Sequence, residues 1–118
     1  MTIHERSSGG VTMLDINGRI TVQEGATEFG QTLTRLLNGA RPQIVVNMTA
    51  VSYIDSTALG ELVRGYTSAA RRGGALKLLQ VPPPVHQLLT MTRLADVFEA
   101  FDSEAGALRS FGAGSGQG

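Results

Sequence analysis

From Val11 the chain alternates, with Val11, Met13, Asp15 and Asn17 on one face and Thr12, Leu14 and Ile16 on the other. That is the two-residue period of a β-strand. Gly18 follows as a residue suited to a tight turn, and Arg19 to Val22 reads as a second short strand. At Ala26 the period changes: Ala26, Phe29, Leu33, Leu36 and Leu37 recur at helical spacing, and Asn38-Gly39 supplies a carboxy-terminal stop. Ile44-Val45-Val46 continues toward Met48 soon after Pro42, a β-branched run of the kind covered on both faces, which predicts the centre of a sheet. A second helix is predicted from Leu59, Leu62, Val63, Tyr66, Ala69 and Ala70. It ends near Arg71-Arg72-Gly73-Gly74, where cations meet its negative pole and glycines follow. Leu76 to Val81 predicts a further buried strand. Pro82-Pro83-Pro84 cannot extend it but fits the first turn of a helix striped by Val85, Leu88 and Leu89. Val97 to Phe101 predicts a last short strand, and Ser103 to Phe111 a last helix with Ser103 as its cap. Strands alternating with helices predict an α/β domain: a mixed central sheet with about four helices packed largely on one side.

One junction in this pattern carries candidate chemistry. Between the Ile44 strand and the Leu59 helix stand Asp55, Ser56 and Thr57, three small oxygen-bearing side chains at a helix amino terminus. Unpaired backbone N–H groups and the positive end of the helix dipole suit a phosphate there, so a phosphoserine needs no dedicated arginine. Capping alone is the simpler reading, because Asp and Ser favour that position for the same electrostatic reason. The spacing completes no capping box, since Leu59 follows Ser56 by three and Gly60 follows Thr57 by three.

Composition narrows the functional classes. The chain has 118 residues, 42% of them hydrophobic, which suffices for one core and one domain. Ten basic residues balance ten acidic ones, so the totals hold no electrostatic footprint for nucleic acid. The absence of cysteine removes thiol catalysis, zinc ribbons and disulfides. His4 and His86 are isolated, with no second ligand at metal spacing, and read as surface residues; no metal or cofactor is expected. Asp96, Glu99, Asp102 and Glu104 read as a solvated edge, and Met91 with Leu88 and Leu89 as a helical cluster facing the core. No apolar run nears the roughly 20 residues of a bilayer span, and Met1 to Arg6 lacks a signal-peptide stretch, so a soluble cytoplasmic protein without membrane insertion is expected. The stretch from Gly112 to Gly118 has the composition of a flexible linker. Residues 2–110 are thus expected as the domain and 111–118 as a glycine-rich tail.

The run from Ile44 to Gly60, with Tyr53-Ile54-Asp55-Ser56-Thr57-Ala58-Leu59-Gly60 at its end, resembles the central signature of STAS domains of the anti-sigma-factor antagonist type. The Asn17-Gly18-Arg19-Ile20 turn, the Leu76 to Val81 strand and the segment from Thr92 to Phe98 also fall where that family has counterparts. The resemblance implies a non-enzymatic partner switch that regulates transcription. An anti-sigma factor that is also a serine kinase binds the unmodified domain, phosphorylation breaks the complex, and a phosphatase resets it. It implies Ser56 as phosphoacceptor and Asp55, Ser56, Thr57, Ala58 and Gly60 as the partner-binding motif. Asn47 and Thr21 stand where the family often has aspartates, and Ala58 where it has glycine. Two other readings stay open: a STAS subunit of a membrane-transport ATPase or scaffold complex, and a nucleotide-binding hydrolase that holds phosphates at the Asp55-Ser56-Thr57 corner.

Overall fold

A computed structural model describes residues 1–115. In chain order the elements are β1 (Thr2–Ser8), β2 (Val11–Ile20), α1 (Ala26–Leu37), β3 (Gln43–Ile54), α2 (Ser56–Arg71), β4 (Ala75–Leu79), α3 (Pro83–Met91), β5 (Ala100–Phe101) and α4 (Glu104–Ser115). The five strands form one mixed sheet in spatial order β1-β2-β3-β4-β5, antiparallel only between β1 and β2. The β-branched run at Ile44 lies at its centre, as its two-sided apolarity predicts.

Three parallel connections step across the sheet in one direction, and crossovers of one hand then place their helices on one face. The main core bears this out. Phe29 and Leu33 of α1, Leu62 of α2 and Val85 and Leu89 of α3 pack with Leu14, Val46 and Leu78 of the sheet. The expectation of helices largely on one side therefore holds for three of the four. α4 lies on the other face, where Ala107 and Phe111 cover Val11, Met13, Val45 and Leu79. Ser103 caps it as expected, its Oγ accepting from the Gly106 N–H at 3.1 Å. α4 includes residues 112–115, which composition assigned to a linker; a helix docked through Phe111 can carry its backbone bonding one turn further. Residues 116–118 lie outside the described residues.

Three expected boundaries move. Gly18 does not end a strand. It sits at φ 104 within β2, where the pairing with β3 shifts register between Asp15 and Asn17 and again between Gly18 and Arg19. Such shifts bend a strand without ending it. β3 correspondingly runs on to Ile54, and its core-facing side chains change from alternation at Ile44, Val46 and Met48 to every third residue at Val51 and Ile54. Val97 and Phe98, expected in the last strand, precede β5. Phe98 is buried instead against the Tyr66 ring, edge-on at 5.2 Å.

β1 gave no periodic signal because it is an edge strand with only Ile3 packed on the main core. Polar side chains tie down the rest. Arg6 donates from Nε to Asp15 Oδ2 at 2.6 Å and from Nη1 and Nη2 to the Glu104 carboxylate at 3.1 and 3.0 Å, so it joins β1, β2 and α4. The acidic edge is solvated as expected, the Glu99 side chain being 65% exposed, but two of its members also pair: Glu104 with Arg6, and Glu99 with Lys77 Nζ at 3.1 Å. Asn47 completes the Arg6 cluster by donating from Nδ2 to Asp15 Oδ1 at 2.8 Å. An aspartate at 47 would set a second carboxylate against Asp15 there. Position 47 is also far from Ser56, since the eight residues to Asp55 span on the order of 25 Å of extended chain.

The Arg6 guanidinium holds the carboxyls of Asp15 and Glu104 below their ordinary ranges, with Asn47 assisting at Asp15. Carboxyls lowered in the folded state contribute stability above their unfolded values, and that contribution disappears as pH falls through the folded ones. Arg6→Gln should therefore cost about 1 kcal/mol at pH 7, a figure kept small by partial solvent exposure, and should flatten the decline in stability toward pH 3. Urea midpoints across that range test it; parallel declines in both proteins would show that the cluster contributes nothing.

Candidate functional site

β3 is followed directly by Asp55, which has an extended backbone and is the N-cap of α2. Its Oδ1 accepts from the Ala58 N–H at 2.9 Å, and its carbonyl accepts from the Leu59 N–H at 2.9 Å. Its Oδ2 accepts from the Val22 N–H at 2.8 Å, and its own N–H donates to Ile20 O at 3.2 Å. One residue thus starts the helix and clamps it to the chain leaving β2. Donation chiefly by the Ala58 N–H, with help from those of Val22 and Thr57, holds the Asp55 carboxyl below its ordinary range despite some desolvation.

The cap is complete without its neighbours. Ser56 and Thr57, the first two helical residues, are exposed, and neither hydroxyl makes a hydrogen bond among the described residues. Capping therefore accounts for Asp55 alone. Gly60 is also exposed, and a Cβ there would meet nothing within 4 Å. Ala58 differs: it is 1% exposed and packs in the main core, so its methyl is no part of the surface that Ser56, Thr57 and Gly60 present. The residue after the two hydroxyls is the first to turn inward as the helix winds, which explains why a small apolar side chain fits there.

Thr21 is buried across from the corner. Its N–H donates to Glu24 O at 2.7 Å, its carbonyl accepts from Glu24 N at 3.1 Å, and its Oγ1 accepts from the same N–H at 3.1 Å. The turn so made presents Val22 at 64% exposed, while Tyr53, two residues before Asp55, is 45% exposed. Arg19 lies over the Tyr53 ring, 5.5 Å from its centroid. These three were not singled out from the sequence. Val22 reads there as an ordinary strand residue, and the strand bend that turns Tyr53 outward has no local signature.

Elsewhere, a groove of about 640 Å³ lies between α1 and α2, bordered by Gln31, Thr34, Glu61 and Arg64. Arg64 is already engaged, Nη2 donating to Glu61 Oε1 at 2.8 Å and to Gly30 O at 3.1 Å. Among the described residues no group of three or more His, Asp or Glu side chains is placed to hold a metal ion. His4 and His86 are exposed. No described helix is long and apolar enough to cross a membrane.

Removing the Asp55 carboxylate should cost about 1 to 2 kcal/mol, the worth of an N-cap with the Val22 bond added. Asp55→Ala should show that loss in a urea titration at pH 7 and a smaller one at an acid pH below the lowered folded value of the Asp55 carboxyl, where protonation has weakened the wild-type cap. An equal loss at both pH values would contradict the charge-assisted cap.

Comparison with known proteins agrees with this architecture. Residues 3–107 match the family model described as STAS domain. An anti-sigma F factor antagonist from Paenibacillus polymyxa is 34% identical over 65 residues, which make up 55% of this chain and only 56% of that protein. Two solved structures share the fold. An anti-sigma factor antagonist from Mycobacterium paratuberculosis has a TM-score of 0.82 at 19% identity, covering 93% of this chain and 92% of its own. The anti-sigma factor antagonist SpoIIAA in its unphosphorylated form has a TM-score of 0.76 at 16% identity, covering 92% and 95%. With the family model spanning nearly all of the sheet and its helices, the chain belongs to the STAS domain family.

Proposed function

We propose that this STAS domain is an anti-sigma-factor antagonist working in the cytoplasm, a binding protein and a kinase substrate but not itself an enzyme. It binds an anti-sigma factor that is also a serine kinase. Transfer of the γ-phosphoryl group of ATP to Ser56 Oγ, with the hydroxyl proton passing to a base on the kinase, ends the complex, and a phosphatase restores the hydroxyl. The observation that carries this reading is the division of labour at the corner: Asp55 caps α2 by itself, so Ser56 Oγ is exposed and free to react. The first-turn N–H groups and the helix dipole then favour the phosphate that results. The sequence resemblance and the antagonist relatives supply the partner class.

The test is to incubate the purified chain with ATP and each serine-kinase anti-sigma factor encoded by the source genome, then locate phosphate by mass spectrometry. Modification at Ser56, abolished in Ser56→Ala, is expected. Modification elsewhere, or none by any such kinase, overturns the assignment.

A further inference from the structure

Four large apolar side chains are exposed among the described residues: Val22, Tyr53, Met91 and Val97. Met91 and Val97 flank the segment between α3 and β5, where the chain has returned to the end of the sheet opposite the strand ends that carry Ser56. Met91, at 72% exposed, is thereby a surface residue and not the core member its helical spacing predicts. Val22 and Tyr53 share the Ser56 corner. Val22 is held through its N–H on Asp55, and Tyr53 through its cross-strand partner Arg19, whose guanidinium lies over the ring. The Val22 backbone and the Tyr53 ring are thus positioned before any partner arrives. Neither is in the main core, and at Val22 a polar side chain would serve the fold equally well. Arg19 makes no ion pair within 4 Å among the described residues; the exposed Glu24 carboxylate feels its charge but is itself paired with the amino terminus of Met1. A guanidinium stacked on an aromatic ring is desolvated on one face and keeps its edge donors for a carboxylate.

We propose that Arg19, Val22 and Tyr53 form the adjoining half of the partner surface and receive a segment of the anti-sigma factor in which an apolar side chain stands beside a carboxylate. Charge complementarity to the unpaired Arg19 selects the acid, and the two apolar neighbours select the rest. This inference rests on the reading of the Ser56 corner given above and extends it. It also gives phosphorylation a specific target, since a new anion at Ser56 repels the same carboxylate that Arg19 attracts. Interface hot spots favour tyrosine and arginine over aliphatic residues, so Tyr53 and Arg19 should outweigh Val22.

Isothermal titration with the purified serine-kinase anti-sigma factors of the source genome tests the surface. Tyr53→Thr and Arg19→Ala are each expected to weaken binding about thirtyfold and Val22→Ser about tenfold. Arg19→Ala should also flatten the salt dependence of the affinity. Met91→Ser, away from the surface, should bind as wild type does, and circular dichroism should show all four variants folded. Wild-type affinity in Tyr53→Thr and Val22→Ser overturns the surface while leaving the Ser56 reading intact. If no such factor binds or phosphorylates wild type, the Ser56 reading itself falls and the partner class with it.

Discussion

Phosphorylated at Ser56, the domain is expected to keep its melting temperature within about 2 °C and to lose about a thousandfold in affinity for the anti-sigma factor proposed as its partner. The two effects differ because the same charge meets two environments. In the free domain the phosphate projects into water from an exposed position at the start of α2, and helix-terminus interactions return only ~0.3 to 2 kcal/mol. In the complex its charge of about −1.5 to −2 is taken out of water, which costs several kcal/mol without a matching cation. Each ~1.4 kcal/mol is tenfold in affinity. Thermal scans and titration calorimetry on enzymatically phosphorylated protein are the measurements. A melting temperature lowered by 10 °C or so would place the switch in unfolding, and retained affinity would remove it altogether. Ser56→Asp should reproduce the effect only in part, because it carries less charge than phosphate.

Leu62→Ala should behave in the opposite way. Leu62 is 1% exposed on the inner face of α2, two turns from Ser56. Its neighbourhood leaves little room for collapse: at Gly65 even a Cβ would come within 3.0 Å of Leu76 Cδ1 and 3.1 Å of Leu33 Cδ1. A packed site that cannot relax keeps its cavity, so the truncation should cost about 2 to 5 kcal/mol of a total near 5 to 15. Urea unfolding should show a large drop in midpoint at unchanged slope. The folded fraction should still bind the partner with wild-type affinity, since no atom of the corner has changed. A loss under 1 kcal/mol would mean that α2 packs more loosely than its small residues indicate.

The helices and central strands were legible because each buries one repeating face. Phe29 and Leu33 announce α1 as plainly as Ile44 and Val46 announce β3. β1 was invisible for the complementary reason: it buries almost nothing, and it is held by its antiparallel ladder with β2 and by Arg6 meeting Asp15 and Glu104, pairings 9 and 98 residues apart. Strand ends were misjudged where the β2 to β3 register shifts, since a bend leaves no trace in composition. Periodicity also says which side of α4 is apolar but not which face of the sheet it covers. At the corner, the cluster of Asp55, Ser56 and Thr57 was visible, and the structure divides it into one cap and two free hydroxyls. The flanking Arg19, Val22 and Tyr53 depend on where β2 and β3 finish relative to each other, which is a property of the sheet and not of any segment.

The position of α4 has a consequence for truncated forms of the domain. The cover of the main core lies at or before Phe98, but the apolar patch of Val11, Met13, Val45 and Leu79 is covered only by Ala107 and Phe111 of α4. Any fragment cut before Glu104 would therefore display an open apolar sheet face. Such fragments should aggregate or occupy chaperones, so an expression variant of this domain needs its last helix more than its small contact with the main core would indicate.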